Sequence, residues 1–324
     1  MSIPLRLSSC LLFLGGLWAL QAAEPLRVRT SIRGELALAL KGAFQQRNPD
    51  IALDFRSSTA GKIMAELDSA HKNDQLAVDL ICHSRITDFI DLAKAGRLEP
   101  YRSPEARHSN STYDEPRGHY TTIRMGELLL VTNTDKRAPL RAWSDLLDPS
   151  LKGRIGISDP QVSGTAFMGF VLLQRQFGWA FLKELRENQL RLGANSSKVL
   201  DDTAAGTLHA CIAPDYLVRD WTRAGAHLAA VSPAESLLIP TCAAIMKGTP
   251  HPKAARRFMD FLLSREAQGI LAAFGAIPAR ADLPPGSPQS TQLKERIKMA
   301  IRVDFIRFID EREAFSARLT ELFK

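Results

Sequence analysis

Between Leu26 and Ala95 short apolar runs alternate with amphipathic ones, and this alternation limits the fold more than any other feature of the chain. Strands are predicted over Leu26–Thr30, Ile51–Phe55 and Val78–Cys82, and helices over Glu35–Arg47, Lys62–His71 and Arg85–Ala95. In the first helix Leu36, Leu40, Ala43 and Phe44 recur at helical spacing. The strand runs are short and mostly apolar, as strands buried on both faces are. A βαβαβα order of this kind calls for an open, mostly parallel sheet flanked by helices.

A surface excursion rich in Pro, Ser, His and charge, Arg102 to His119, ends this unit. Leu128–Thr132 then reads as a strand and Trp143–Leu147 as a short helix. A second alternating unit opens at Arg154 with the strand R-I-G-I-S. It continues through an S-G-T turn, a helix to Glu187, a loop, a helix over Lys198–Ala205 and a strand over His209–Ala213. Leu237–Met246 is a further apolar strand in which Pro240 implies an edge or a bend. A helix from Pro252 carries Ala255, Phe258, Met259 and Leu262. About 300 residues lie beyond the first 23, large for one core and comfortable for two.

Those first 23 residues carry one positive charge, Arg6, then an apolar run from Leu11 to Leu20 and the small residues Ala22 and Ala23. This is the pattern of a secretory signal peptide cut within Ala22 to Glu24, and the run is well short of the roughly 20 residues a spanning helix needs. Cys10 precedes the apolar run instead of ending it, which argues against lipidation. Losing Arg6 leaves 41 of the 42 Lys and Arg against 35 Asp and Glu, so the exported chain is basic by 6 charges. Such a balance favours anionic ligands. The charge is spread along the chain with no aromatic-interleaved basic stretch, so nucleic acid is not an expected partner. Cys82, Cys211 and Cys242 remain, an odd number in apolar surroundings. Buried thiols are the better reading, with a Cys211–Cys242 disulfide left open. Asn110-Ser111-Thr112 and Asn195-Ser196-Ser197 fit the glycosylation sequon, which matters only in a eukaryotic secretory route.

The loops that follow the predicted parallel strands hold the candidate site, because open α/β sheets bind ligands at the carboxyl ends of their strands. They contain Ser31 and Arg33, then Ser57, Ser58, Thr59 and Gly61, then His83 and Ser84 in the first unit. In the second they contain Ser163, Gly164 and Thr165, and then Asp215 and Tyr216. Asn195 and Ser196 stand just before the helix near Lys198. Each Ser, Thr or Asp could be a plain helix cap. Several at one edge, flanked by Gly61 and Gly164, point instead to backbone N–H groups held ready for an anion. Arg33, Arg85 and Arg124 are the guanidinium groups best placed to pair with a phosphate or carboxylate.

Other chemistries lack their residues. R-S-S-T-A-G-K at Arg56–Lys62 has the end of a phosphate-binding loop without its first glycine, and Ile63 stands where a magnesium-holding Ser or Thr belongs. Ser163 sits in Q-V-S-G-T, not in a G-x-S-x-G elbow, and Thr59 stands where an S-x-x-K nucleophile needs Ser. The seven His show no paired zinc spacing. No cofactor or resident metal is implied, and an enzyme has no residues to argue from.

Three stretches carry a resemblance in order along the chain. They are A-G-R-L-E-P-Y at Ala95–Tyr101, L-K-G-R-I-G-I-S-D-P at Leu151–Pro160 leading into S-G-T-A, and K-A-A-R-R-F-M-D-F-L-L-S-R-E-A-Q-G at Lys253–Gly269. With them the chain resembles the type 2 periplasmic solute-binding proteins of ABC importers, in the branch with ferric-ion, phosphonate and sugar-phosphate receptors. The resemblance implies a periplasmic clamshell, expected as a monomer, that delivers a small anionic ligand to an inner-membrane ABC permease or reports it to a sensor kinase. It implies a first lobe of 24–127 and 247–324 and a second of 128–246, with crossovers at Leu128–Asn133 and Leu237–Met246. Ser57, Ser58 and Thr59 would meet the ligand from the first lobe, and Ser163, Gly164, Thr165 and Tyr216 from the second. Ferric receptors present adjacent tyrosines, whereas Leu217 follows Tyr216 here. An organic phosphate or phosphonate is therefore expected ahead of iron, for which Tyr216 is the one candidate ligand.

Overall fold

The computed structural model describes residues 23–73, 78–109, 114–280, 282–283, 300–301 and 303–324. The signal-peptide reading and the sequon at Asn110 lie outside them. The first unit runs β1 (Glu24–Thr30), α1 (Gly34–Arg47), β2 (Ile51–Ser57), α2 (Ala60–Lys72), β3 (Leu80–His83), α3 (Ile86–Lys94) and β4 (Leu98–Glu99). The long β5 (Thr121–Asn133) leads into β6 (Ile155–Ser158), α4 (Gly164–Glu187), β7 (Arg191–Gly193), α5 (Ser196–Ala204), β8 (Ala210–Pro214), α6 (Asp215–Arg223) and β9 (Leu228–Val231). Then come β10 (Leu237–Met246), α7 (Pro252–Leu263), α8 (Arg265–Ala273), β11 (Ile277–Pro278), α9 (Phe305–Phe308) and α10 (Arg312–Leu322).

The described strands form one continuous sheet with the order β2-β1-β3-β10-β5-β8-β6-β7. Its two ends are parallel triplets, β2-β1-β3 and β7-β6-β8. In each triplet the first strand in sequence lies in the middle, so the two units are built alike. The match depends on β7, three residues that read as loop in the sequence. Between the triplets lie β10 and β5, antiparallel to each other and to their outer neighbours. This is the two-lobed type 2 periplasmic binding protein architecture.

The register of the central pair sets the geometry of everything else. His83 at the end of β3 pairs with Cys242 of β10, which is level with Thr122 of β5, while Pro214 at the end of β8 is level with Leu128. The two triplets run in opposite directions, so their carboxyl ends face each other along β5 across six residues, about 20 Å. β5 starts seven residues before the apolar run that announced it. Its first half carries buried Thr122, Arg124 and Glu127, whose polarity hides the strand from a hydrophobicity reading. Pro240 falls in the same gap. There β10 has only β5 beside it, because β3 takes over from Cys242, and the register shifts between Thr241 and Cys242. The proline thus sits where β10 is locally an edge and irregular, although β10 is a central strand of the sheet.

Two apolar clusters cover the two sheet faces. One packs α3 and α4 with the C-terminal helices through Phe89, Phe167, Phe170, Phe308 and Phe315. The other packs α1, α7 and α8 with α5 and α6. The terminal segment touches both units: Phe308 and Phe315 stack on Phe167, and Arg312 pairs with Asp91 of α3. Cys82, Cys211 and Cys242 are free and buried. Cys211 and Cys242 cannot pair, since β5 separates their strands and they are level with Val131 and Thr122, far beyond the 7 Å between Cα atoms that a bridge tolerates. No helix among the described residues is long and apolar enough to cross a membrane.

Asp79 ties the first unit to the start of α7. It is fully buried and accepts from the Arg27 backbone at 2.7 Å, the Arg27 guanidinium at 3.1 and 3.2 Å, Thr249 at 2.9 Å and the His251 ring at 3.2 Å. Burial pushes its pKa up, but these donors outweigh burial and hold it below the ordinary value. A depressed carboxylate stabilises the fold above its unfolded pKa of about 3.9 and loses that contribution as pH falls through the folded value. Asp79→Asn should therefore lower unfolding free energy by about 2 to 3 kcal/mol at pH 7. In urea titrations the gap between variant and parent should narrow steadily from pH 5 to pH 3.

Candidate functional site

A small cavity of about 30 Å³ lies where the two triplets face each other, and all six of their strands send residues to it. Ser31 and Arg33 follow β1, Thr59 and Ala60 follow β2, and Ser84 follows β3. From the other side, Ser158 ends β6 and is followed by Ser163, Gly164 and Thr165. Asn195 and Ser196 follow β7, and Pro214, Tyr216 and Leu217 lie at the end of β8 and the start of α6.

Five helices of nine or more residues begin at this cavity: α1, α2, α4, α5 and α6. Their first N–H groups and their dipoles point positive charge inward. Capping and lining coexist in the same residues. Thr59 accepts from the Lys62 N–H at 3.3 Å, Ser163 from Ala166 at 3.2 Å and Asn195 from Lys198 at 2.9 Å. Arg33 occupies the N-cap of α1 without a side-chain capping bond. Among the described residues it is the only ionic side chain lining the cavity, and none of them lines it with a carboxylate.

The remaining residues expected at the site stand one layer away. The Ser57 hydroxyl donates to the Ile32 carbonyl at 2.7 Å, and the Ser58 N–H donates to Thr30. His83 is fully buried, accepts from the Arg85 N–H through Nδ1 and packs on Phe89. Burial, followed by the Arg85 charge, pushes its pKa down to about 3, so the imidazole is neutral. Asp215 caps α6 by accepting from the Tyr216 N–H at 2.8 Å and also accepts from Glu127 at 3.2 Å. Burial raises it to about 6 against the pull of Arg124, 3.8 Å away. Arg124 lies under the site instead of in it, its guanidinium 4.6 Å from the centre of the Tyr216 ring. Its Nε and Nη1 have no hydrogen-bond partner. Burial also raises the Tyr216 pKa, so its phenol is protonated and donates toward the Ser31 carbonyl at 3.5 Å.

Gly61 and Gly164 act between the lobes. The Gly61 N–H donates to the Val162 carbonyl at 3.3 Å, and a Cβ on Gly61 would stand 3.0 Å from the Gln161 carbonyl. A Cβ on Gly164 would stand 2.9 Å from that of Arg85 and 3.0 Å from that of Ala60. Beside them the Ser84 and Thr165 hydroxyls meet at 2.6 Å, and the Arg85 guanidinium reaches across to the carbonyls of Pro160 at 3.3 Å and Gln161 at 3.2 Å. Arg85 is therefore a clasp residue. A larger open groove of about 930 Å³ lies beyond this clasp, between α3 and α10. Three ion pairs line it, Arg97 with Asp68, Arg312 with Asp91 and Arg85 with Asp88.

Ser158 was not among the residues expected from the sequence. It lines the cavity, is 1% exposed, and its buried hydroxyl has no hydrogen-bond partner. Its signal was a hydroxyl closing an apolar strand, the position Ser84 and His83 hold near the end of β3.

Residues 80–306 match the family described as bacterial extracellular solute-binding protein. An uncharacterized protein of Haemophilus influenzae is 30% identical over 243 residues, 68% of each chain. A putative 2-aminoethylphosphonate-binding periplasmic protein of Salmonella paratyphi A is 26% identical over 215 residues, 61% of each chain. The periplasmic binding protein AfuA of Actinobacillus pleuropneumoniae, solved with exogenous fructose-6-phosphate bound, superposes on 93% of this chain and 99% of its own. The TM-score is 0.82 at 23% identity, a likeness of fold.

The clasp makes the glycines testable. Gly164→Val should wedge α2 and Arg85 away from α4, lowering affinity for a cavity ligand at least tenfold while the unliganded melting temperature moves by only a few degrees. Small-angle scattering should show a larger radius of gyration that added ligand no longer reduces. An unchanged affinity would mean that closure does not depend on this contact.

Proposed function

Because the chain belongs to the bacterial extracellular solute-binding protein family, we propose that it captures a small anion between its lobes, with organic phosphates and phosphonates favoured, and hands it to an inner-membrane ABC importer. The observation that carries this reading is the convergence of five helix N-termini and Arg33 on a cavity that no carboxylate lines. Apart from α6, which Asp215 caps, these helix starts meet no carboxylate among the described lining residues, and a bound anion would stabilise their partial positive charge. Basic net charge adds a long-range attraction for the same ligands. The printed description of the Salmonella paratyphi A relative, a phosphonate-binding protein, supports the same ligand class.

The lobes are proposed as 24–127 with 247–324 and as 128–246, the terminal helix of the first bearing also on α4. A signal peptide over 1–23 and action as a periplasmic monomer complete the reading. A receptor that reports to a membrane histidine kinase would use the same cleft, and the distinction rests on the partner. Iron fits less well. Tyr216 is a protonated phenol over a buried arginine, and the nearest carboxylate, Asp215, already accepts from two backbone N–H groups. A receptor is favoured over an enzyme because the cavity hydroxyls face no general base, the neutral His83 lying behind them.

Ser163→Asp tests the sign of the site. Aspartate caps a helix as well as serine does, so α4 should persist, while a carboxylate now stands where the ligand charge belongs. Thermal shift with phosphate, methylphosphonate, 2-aminoethylphosphonate, fructose-6-phosphate and ferric citrate should show a parent stabilised by about 2.7 kcal/mol at a hundredfold the dissociation constant. The variant should lose that response to phosphorus anions. Tyr216→Phe should weaken an anion by one hydrogen bond, about 0.5 to 1.5 kcal/mol. Stabilisation of the parent by ferric citrate alone, abolished in Tyr216→Phe, would replace the anion reading with a ferric one.

A further inference from the structure

We propose that the closed cavity takes a single tetrahedral oxyanion carrying at most a methyl-sized substituent, and that Ser158 is the hydroxyl that receives it at the cavity floor. This rests on the anion-receptor reading and narrows it. Room for water centres of about 30 Å³ corresponds to a roughly spherical cavity about 3.3 Å in radius. One phosphoryl, phosphonyl or sulfate group has about that radius. A sugar attached to it would extend beyond this space.

The walls explain why the space ends there. On one side α2 and α4 touch through Gly61 and Gly164 with no room for a methyl group, and Ser84 and Thr165 close the seam at 2.6 Å. A ligand tail directed that way would have to break the clasp.

Charge gives a second, independent restriction. An aminoalkyl tail brings an ammonium, whose strongest partner is a carboxylate, and none of the described lining residues supplies one beside Arg33 and the helix starts. Asp215, the nearest in sequence to a lining residue, is turned to the Glu127 and Tyr216 N–H groups and toward Arg124. The ligand therefore presents acceptor oxygens on every side.

Ser158 points to the ligand directly. A buried hydroxyl without a partner is destabilising, and a ligand oxygen that meets it relieves that cost. Ser158 lies at the carboxyl end of β6, opposite the β1 loop that carries Arg33.

The test is isothermal titration of the full-length exported protein, stripped of bound solute by unfolding and refolding, with phosphate, sulfate, methylphosphonate, 2-aminoethylphosphonate and fructose-6-phosphate. At least one of the first three should bind at least tenfold tighter than either of the last two, and which one binds identifies the source of the oxyanion. Ser158→Ala should weaken that ligand five- to tenfold while leaving the melting temperature of the unliganded protein unchanged or higher, since it removes an unpaired buried group. Equal or tighter binding of fructose-6-phosphate or 2-aminoethylphosphonate would overturn the size and charge restriction and leave the anion receptor standing. No binding by any of the five would overturn the receptor reading and this inference together. An undiminished affinity in Ser158→Ala would remove Ser158 from the floor.

Discussion

The antiparallel pair β5 and β10 is the constraint on which the rest depends. Parallel βαβ units present their loops at one edge only, so two such units can share a ligand only if something turns one against the other. Here the three antiparallel pairings β3–β10, β10–β5 and β5–β8 turn β8 against β3, and the offset register of the central pair holds the carboxyl ends of the triplets apart by the depth of one cleft. Where neither triplet reaches, the pair carries Pro240 and a register shift. Strands so interrupted are where a two-lobed protein can bend at least cost, because few ladder bonds must change.

The cleft solves an electrostatic problem in an uncommon way for so small a space. Anion sites built from several arginines must keep those arginines apart when empty, whereas backbone N–H groups at helix starts are neutral overall and carry only partial charge. This chain uses helix starts from both lobes and one lining guanidinium. A second guanidinium, Arg124, is held against the Tyr216 ring face at 4.6 Å and the Asp215 carboxylate at 3.8 Å. Burial raises Asp215 toward about 6 and so weakens the hold of this carboxylate on Arg124.

Much of this was legible in the residues. The alternation of apolar runs gave the parallel units, and hydroxyl residues at helix starts marked the facing edges. Of the expected residues, Ser31, Arg33, Thr59, Ser84, Ser163, Gly164, Thr165, Asn195, Ser196 and Tyr216 do line one cavity. What could not be read depends on partners distant in sequence. Three-residue β7 is too short for any period, and the first half of β5 buries the polar Thr122, Arg124 and Glu127, which a hydrophobicity reading does not mark as strand. Gly61 lies against the Gln161–Val162 backbone across the cleft, and the Ser57 hydroxyl donates to the Ile32 carbonyl 25 residues away, contacts that no local pattern announces. Ser158 looked like the end of a strand because nothing local says that its hydroxyl lacks a partner.

The clasp also bears on how affinity is divided between ligand and protein. Contacts between the lobes that need no ligand, from Gly61, Ser84 and Arg85 to the loop and helix start across the cleft, lower the free energy of the closed form in the empty protein. A receptor that closed only through its ligand would need a ligand large enough to touch both lobes at many points. With the lobes already in contact, a small anion has only to fill the last gap between opposed helix starts. The closed population before binding sets the fraction of intrinsic affinity that is realised. Lobe contact and a small cavity are thus two sides of one design. The glycines that allow the helix starts to meet set the cavity's size, and a ligand too large for it would forfeit the clasp it needs for closure.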